Sequence, residues 1–437
     1  MKKILIITLI SISSLFSQVT KLTLRESLEI GMKNSKELKI SHSKLISATA
    51  QVTSANSQLL PQLGFSAGYM RLSDIPPFEV SLPILPKPIQ ISPVILDNYS
   101  LKLSLQQPLF TGFRLTSLKD IAQLNLKAAE SDFNGNKNDE ALKILSGFWN
   151  YYKAQQNDKV LEENLQQMKQ HLDDTKNFAA NGLATKNDVL KIEVQYSSIQ
   201  LQKIEADNLL DIARMTFNQS IGLPLDSKTE IEVGDISTAI VEYNLNNLIS
   251  EAKNNRNELK SLQYRVDASN KNITASQSSW FPSLFLIGDY YYSKPNSRYL
   301  PAVDEFKNTW DVGVQLSWSL WNWGLTSSQT TIAEQNKIQA EVSLSQLKDA
   351  VEIEVYQNYL TFKRSYDKVK VSKLGVEQAE ENYRMIKDKY NNQIASSTDL
   401  IDAETALLAA KTNYVNSLVD YEMSKVRLDK SVGKKIY

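Results

Sequence analysis

The sequence predicts a mostly helical chain that also builds part of a transmembrane β-barrel, arranged as two copies of one helix, strand, strand, long helix, helix unit. Three observations carry that fold class. First, NGLATKNDVLKIE at 181–193 and NQIASSTDLIDAE at 392–404 are versions of one passage, 211 residues apart. Second, four segments of about ten residues alternate between apolar and polar positions, with Tyr and Trp near their ends, and that is the length a tilted strand needs to cross a bilayer. Third, the stretch from Leu325 to Tyr390 has no proline and one glycine, Gly375, so it reads as a single helix of about 100 Å.

The duplication runs through the chain. At the spacing of 211, Asn181 falls on Asn392, Thr185 on Ser396, Asp188 on Asp399, Glu193 on Glu404, and Ile221-Gly222 on Val432-Gly433. Earlier in each copy the spacing is 221, with Leu24 over Leu245 and Leu60-Pro61 over Phe281-Pro282. The two copies cover residues 24–222 and 245–433, joined by a linker at 223–244, and their period is far longer than that of a solenoid repeat.

Within each copy the strands come before the longest helix. TWDVGVQLSWSLW sets Trp310, Val312, Val314, Leu316, Trp318 and Leu320 on one face against Asp311, Gly313, Gln315, Ser317 and Ser319 on the other, the period-two signature of a strand. NYSLKLSLQQ, QLGFSAGYM and PSLFLIGDYYYS behave alike, giving strands at about 62–72, 98–108, 282–293 and 309–320. A soluble sandwich would show the same alternation, but four strands lack its even spacing. The connection SDIPPFEVSLPILPKPIQISPVILDN holds six of the twelve prolines and many branched aliphatics. It is too apolar to prefer water and is expected to fold over the barrel mouth or against a neighbouring subunit.

In the helices a seven-residue spacing dominates. Val355, Phe362, Val369, Val376, Tyr383 and Tyr390 form one series, resumed after a turn by Leu400, Leu407, Tyr414, Tyr421 and Leu428. In the first copy Ile144, Tyr151, Leu165 and Leu172 pair with Val189, Tyr196, Leu210 and Phe217, interrupted at Asp158 and Lys203. Sustained heptads mean antiparallel helices coiled with a left-handed twist. The quoted passages are then hairpin tips, at 181–188 and 391–399, where Thr185 with Asp188 and Ser396 with Asp399 make capping boxes. Gly222 and Gly433 suit the ends of the return helices. The segments 24–57 and 245–278 read as half-length helices that extend the line of the return helices.

One chain supplies four strands, which cannot close a barrel, and open edges are not tolerated in lipid. Two chains would give eight strands with a filled interior; three give twelve and room for a lumen. A cyclic homotrimer is the smallest closed assembly with a hole.

Composition narrows the function classes. Lys plus Arg and Asp plus Glu each number 49, with no block of either sign, so nucleic acid is not an expected partner. The absence of cysteine excludes a disulfide scaffold, a thiolate metal site and a lipidated N-terminal cysteine. His42 and His171 are the only histidines and, in polar helical surroundings, read as surface residues. No nucleophile, base and acid set, metal spacing or phosphate loop appears, so the chain does not read as an enzyme and no cofactor is expected. MKKILIITLISISSLFSQ reads as a secretory signal peptide over 1–17.

The signal peptide, the duplicated unit, QPLFTGF and SLWNWG between strand and long helix, and the two tip passages together resemble the TolC-type outer-membrane efflux proteins over residues 21 to 434. That resemblance implies a twelve-stranded trimeric β-barrel in the outer membrane of a Gram-negative type envelope, in contact with its lipid and continued into the periplasm by a long α-helical coiled-coil barrel. It implies a passive exit duct for efflux or type I secretion, recruited by a periplasmic adaptor (membrane fusion) protein and an inner-membrane transporter of the RND, ABC or MFS class. It places Asp399 and Asp402 at a pore constriction. The adaptor-docking surface falls on the tips, at Gly182, Leu183, Ala184, Thr185, Ile394, Ala395 and Ser396. Two positions depart from the family pattern: the tip glycine is Gln393 in the second copy, and the basic residue that some members place close behind it is Ala395. A secreted or periplasmic trimeric coiled-coil scaffold without a pore is the competing reading, and it leaves the aromatic strands unexplained.

Overall fold

A computed structural model describes residues 20–81, 83, 84, 86, 88–234, 236 and 242–437. The signal peptide at 1–17 lies outside the described residues, as do 235 and 237–241 of the linker. Two compact units form, and neither follows one repeat: the first gathers Met1–His42, Asp132–Glu258 and Leu347–Tyr437, the second Ser43–Ser131 and Leu259–Gln346.

The first unit contains β1 (Thr20–Leu22), α1 (Leu24–Asn34) and the start of α2 (Lys36–Ser57). It takes the later parts of the two long helices, α3 (Arg114–Ala180) and α7 (Leu325–Asn391), each of 67 residues and so about 100 Å long. The return helices α4 (Lys186–Ile221) and α8 (Ser397–Ser431) complete its hairpins, with β6 (Thr229–Ile231), α5 (Leu245–Asn255) and the start of α6 (Asn257–Gln277) beside them. The heptad positions lie in the seams: Val355, Phe362, Val369 and Tyr390 on α7 and Leu400, Leu407, Tyr421 and Leu428 on α8 are buried. Leu22, Ile144, Phe148, Trp149, Tyr151, Phe217 and Ile221 form an aromatic-rich core where β1 pairs in parallel with β6.

The two interruptions in the first copy's heptads answer each other. Lys203 Nζ donates to Asp158 Oδ1 at 2.9 Å across the α3–α4 seam, where the second copy has Tyr414 and Val369. Charge on one helix thus finds opposite charge on the other, and the coil continues through them.

The half-length helices are not continuous, contrary to the sequence reading. Ser35 separates α1 from α2 and Arg256 separates α5 from α6, both with extended backbone at φ −55, ψ 123 and φ −62, ψ 125. The reason lies in the partner helix. Gly222 caps α4 in the left-handed conformation (φ 74) and its position would bring a Cβ to 2.6 Å from Asn34 Cβ; Gly433 after α8 (φ 80) would bring one to 2.8 Å from the Asn255 carbonyl carbon. Only glycine fits an end packed this tightly at positive φ. Asn34 Nδ2 donates to the Ile221 carbonyl at 3.1 Å, giving the open helix end a partner. Arg256, buried, donates to Glu258 and Glu354 and to the Ser431 carbonyl at 3.4 Å.

The second unit holds a four-stranded antiparallel sheet in the order β2 (Gln62–Arg71), β5 (Asp97–Thr111), β7 (Ser283–Lys294), β8 (Lys307–Ser317). Its register lines up Phe65, Leu103, Tyr290 and Trp310 in one row, and Leu63, Leu105, Gly288 and Val312 in the next, so one face is apolar across all four strands. The rows between are Gly64, Ser104, Asp289, Asp311 and Ser66, Lys102, Tyr291, Thr309. That second face is polar and carries the Lys102–Asp289 ion pair at 2.9 Å. Strand β5 runs past its expected end through a register shift at Pro108/Phe110, the bulge a proline without an N–H imposes on a ladder. Strand β8 stops short at Ser317, and the Trp318 indole instead donates to the Trp280 carbonyl at 3.2 Å. In the proline-rich connection Phe78–Val80 (β3) and Ile89–Ser92 (β4) pair as a hairpin, and Ile75, Phe78 and Ile84 stay exposed within the single chain.

Candidate functional site

Both hairpin tips are built the same way. At the first, Leu183 N–H reaches the Phe178 carbonyl at 2.8 Å and Gly182 N–H the Ala179 carbonyl at 3.1 Å; at the second, Ile394 reaches Lys389 and Gln393 reaches Tyr390, both at 2.8 Å. These are Schellman closures, and each needs one residue at positive φ: Gly182 at 74° and Gln393 at 63°. Each return helix then opens with a complete capping box. Asp188 Oδ2 accepts from Thr185 N at 3.0 Å and Thr185 Oγ1 at 2.6 Å, and Thr185 Oγ1 accepts from Asp188 N at 3.2 Å. Ser396 and Asp399 repeat this at 2.8, 2.7 and 3.2 Å. The donated hydrogen bonds from Thr185 and Ser396 hold both aspartates below the usual carboxylate range.

Around these caps Gly182, Leu183, Thr185, Ile394 and Ser396 are exposed, and Ala184 and Ala395 half-buried. The tips thus present a small, partly apolar surface on a backbone fixed by its own hydrogen bonds. Asp399 is committed to its cap. Asp402, one turn further along α8, is exposed, and among the described residues no hydrogen bond or ion pair engages it. The counterpart in α4 is Lys191.

A buried polar cluster lies just behind the tips, and the sequence reading missed it. His171 is not a surface residue: its side chain is 2% exposed and its Nδ1 stands 3.2 Å from Glu404 Oε2, itself 1% exposed. The ring's Nε2 is 3.5 Å from Ser397 Oγ. Thr175 Oγ1, one turn on, bonds the Tyr390 hydroxyl at 2.5 Å, and the Tyr390 ring meets the imidazole edge-on at 5.0 Å. Helix α3 is thereby tied to α7 and α8, the first hairpin to the second. A signal for this was present: Asn157, Asn164 and His171 fall seven residues apart, a polar heptad row that marks an interhelical seam as surely as an apolar one. Only His42 keeps its expected place, exposed beside Phe133.

Among the described residues no group of His, Asp and Glu side chains is arranged to hold a metal ion. Among the described residues no helix is long and apolar enough to cross a membrane.

Comparison with known proteins places these features. The family of outer membrane efflux proteins matches residues 31–223 and 248–434. The outer membrane protein TolC of Vibrio cholerae is 24% identical over 406 residues, 89% of this chain and 87% of that protein. The proteases secretion protein PrtF of Dickeya chrysanthemi is 21% identical over 311 residues, 70% of this chain and 67% of its own. Among solved structures, the outer membrane protein VceC of Vibrio cholerae superposes with a TM-score of 0.79 at 18% identity, covering 95% of this chain and 97% of that one, so the two share a fold. The protein is an outer-membrane protein of the Gram-negative envelope that extends into the periplasm. The duplicated match, the sheet with one apolar face and the paired hairpins lead to one conclusion: the chain belongs to the outer membrane efflux protein family, a family of channels and not of enzymes.

Proposed function

We propose that three copies of this chain form a channel-tunnel that serves as a passive exit duct for efflux or type I secretion. The observation that carries this reading is the sheet. Its apolar face runs unbroken from Leu63 to Trp310, the latter 67% exposed, and its opposite face is polar. A sheet greasy on one side and wet on the other suits a barrel wall with lipid outside and water inside. Strands β2 and β8 are its edges. In an antiparallel set of four the first and last strands run oppositely, so β8 of one copy can pair with β2 of the next without breaking the alternation. Three copies close twelve strands around a lumen.

In this reading Asp402 from three copies rings the tunnel end and favours cations, since like charges around a constriction focus the field. Asp399 stands nearby but spends its carboxylate on the cap. The tips from Gly182 to Thr185 and from Ile394 to Ser396 are the docking surface for a periplasmic adaptor, which brings an energised inner-membrane transporter. Their exposure and their rigid caps support this, because a preformed surface loses little entropy on binding.

The test is direct. Purified protein should run as a trimer by mass in detergent and pass ions across a planar bilayer, and Asp402→Asn should reduce cation preference. A monomer in detergent, or material that stays soluble without detergent and conducts nothing, would overturn the reading.

A further inference from the structure

Two connections stand at the end of the sheet away from the long helices, 72–96 between β2 and β5 and 295–306 between β7 and β8. Next to them the apolar face ends in a row of neighbouring rings. Tyr69 and Tyr99 lie 5.0 Å apart, Tyr99 and Phe306 5.8 Å, and Phe306 and Tyr292 5.0 Å. The ion pairs Arg71–Asp97 and Lys294–Asp304 follow at 3.0 and 3.1 Å. Rings and then charge mark the level where an apolar band gives way to water, so both connections lie outside the hydrocarbon.

The shorter connection is braced by polar bonds and still holds a leucine outward. Asn296, buried, donates through Nδ2 to the Lys307 carbonyl and to Thr309 Oγ1, both at 3.1 Å, and its Oδ1 accepts from Arg298 N at 3.0 Å. Arg298 in turn donates to the Trp310 carbonyl at 2.9 Å and pairs with Asp311. Within this braced loop Leu300 is 90% exposed. A rigid loop that presents a large apolar side chain is a preformed contact, since little order is lost when something covers it. The longer connection carries a matching surface. Its Ile75, Phe78 and Ile84 are 62%, 66% and 87% exposed, and Asp74 and Glu79 are the only charged side chains among its described residues.

Within one chain these surfaces stay bare. The space between the two connections, over β5 and β7, is where Phe306 already packs on Tyr99 and Tyr292. The other neighbour of each connection is a second copy. In the proposed ring β8 of one copy pairs with β2 of the next, which sets the 295–306 loop of the first beside the 72–96 loop of the second. Those loops are two strand spacings apart, about 10 Å, and the run from Leu72 to Phe78 reaches about 20 Å when extended.

We infer that the proline-rich connection of each copy folds over Leu300 of its neighbour, an apolar clasp across every joint of the barrel. The inference rests on the proposed trimer and adds to it a contact outside the lipid. The six prolines of the arm suit this role: with φ fixed they lose little freedom on docking, and without an N–H they leave fewer donors to bury.

Because the chain has no cysteine, single cysteines report the contact. Chains carrying Phe78→Cys and chains carrying Leu300→Cys, made together and purified in detergent, are treated with a flexible bis-maleimide reagent. Covalent dimers should form at several times the yield given by either variant alone, and Ile75→Cys or Ile84→Cys should serve in place of Phe78→Cys. Leu300→Asp should lower the temperature at which the trimer dissociates in dodecyl sulfate, and Leu300→Met should leave it unchanged. Dimers formed as readily by Phe78→Cys alone would put the arms together over the mouth and overturn the clasp. Quenching of a label on Leu300→Cys by brominated acyl chains, which would put that loop in lipid, overturns it too. So does a lack of cross-links at all three arm positions. A trimer without cross-links leaves the duct standing and the clasp refuted; a monomer in detergent removes both.

Discussion

Glu193 and Glu404 occupy the same place in the two copies of one unit, and the structure gives them opposite environments. Glu193 is 42% exposed and pairs with Lys176 on the surface; Glu404 is 1% exposed and faces His171. The heptads differ in the same manner, with the Asp158–Lys203 pair in the first copy where the second has Val369 and Tyr414. The backbone of the duplicated unit is shared down to the capping boxes and the breaks at Ser35 and Arg256, while the side chains have diverged. What the divergence teaches is that a duplicated scaffold frees one copy to carry contacts with the other. Where the hairpins meet, His171 with Glu404 and Asn157 with Asn416 stand beside an apolar cluster that holds Val419 and Met423 together with Phe148 and Trp149.

Substitutions at three pairs of positions, and one acid titration, would break or sharpen that comparison. The largest effect is expected at the glutamates: Glu404→Ala should cost about 3 kcal/mol in the local opening of α8, as for a buried pair left with one partner, whereas Glu193→Ala should cost below about 0.5 kcal/mol, as for an exposed pair. Hydrogen exchange of the two return helices reads both numbers.

Next comes the seam. Asp158→Ala removes the partner that Lys203 finds on α3 at 2.9 Å, leaves it Asp207 and the more distant Glu162, and should cost about 1 kcal/mol. Writing the second copy's pair into the first, Asp158→Val with Lys203→Tyr, should recover most of it, since apolar replacement of such pairs is often neutral. A double-mutant cycle that finds the pair additive would show that the two residues do not answer each other.

At the tips the expected change is about 1 kcal/mol. Gln393→Gly should stabilise the second tip by that amount, because a residue with a Cβ pays to hold φ near 63°. Gly182→Gln should destabilise the first tip equally, as a Cβ there would meet open space and the backbone angle is the sole cost. The smallest and most symmetrical effect is in acid. Asp188 and Asp399 are both held below the usual range by their caps. Each cap's contribution is therefore complete above the unfolded value of about 3.9 and is lost as pH falls through the lower folded value. Amide exchange at the first turns of α4 and α8 should accelerate together in that window and stay level above it.

Much of this was legible in the residue string. Strand alternation, the heptads and the caps are local or periodic signals, and each appears close to where the pattern put it, apart from the far ends of β5 and β8. The breaks at Ser35 and Arg256 were not legible, because their cause is the end of another helix, brought alongside by the fold. His171 was misread for a related reason. Its neighbours in sequence are polar, and its burial depends on Glu404 and Tyr390, which reach it only when the second hairpin packs against the first. The family resemblance gives Asp399 and Asp402 a place at a pore constriction, and the cap accounts for the first of the two without a pore.

The bare edges of the sheet have a consequence for the cell that makes this protein. A lone copy would bring to the membrane two rows of unpaired peptide groups beside an apolar wall, so insertion and assembly have to be one event. In the proposed trimer a single damaged strand edge then spoils its intact neighbours as well, because a ring with one faulty joint does not close. Mixed expression of a sound chain with one carrying a proline in the middle of β8 should poison export out of proportion to the share of bad copies.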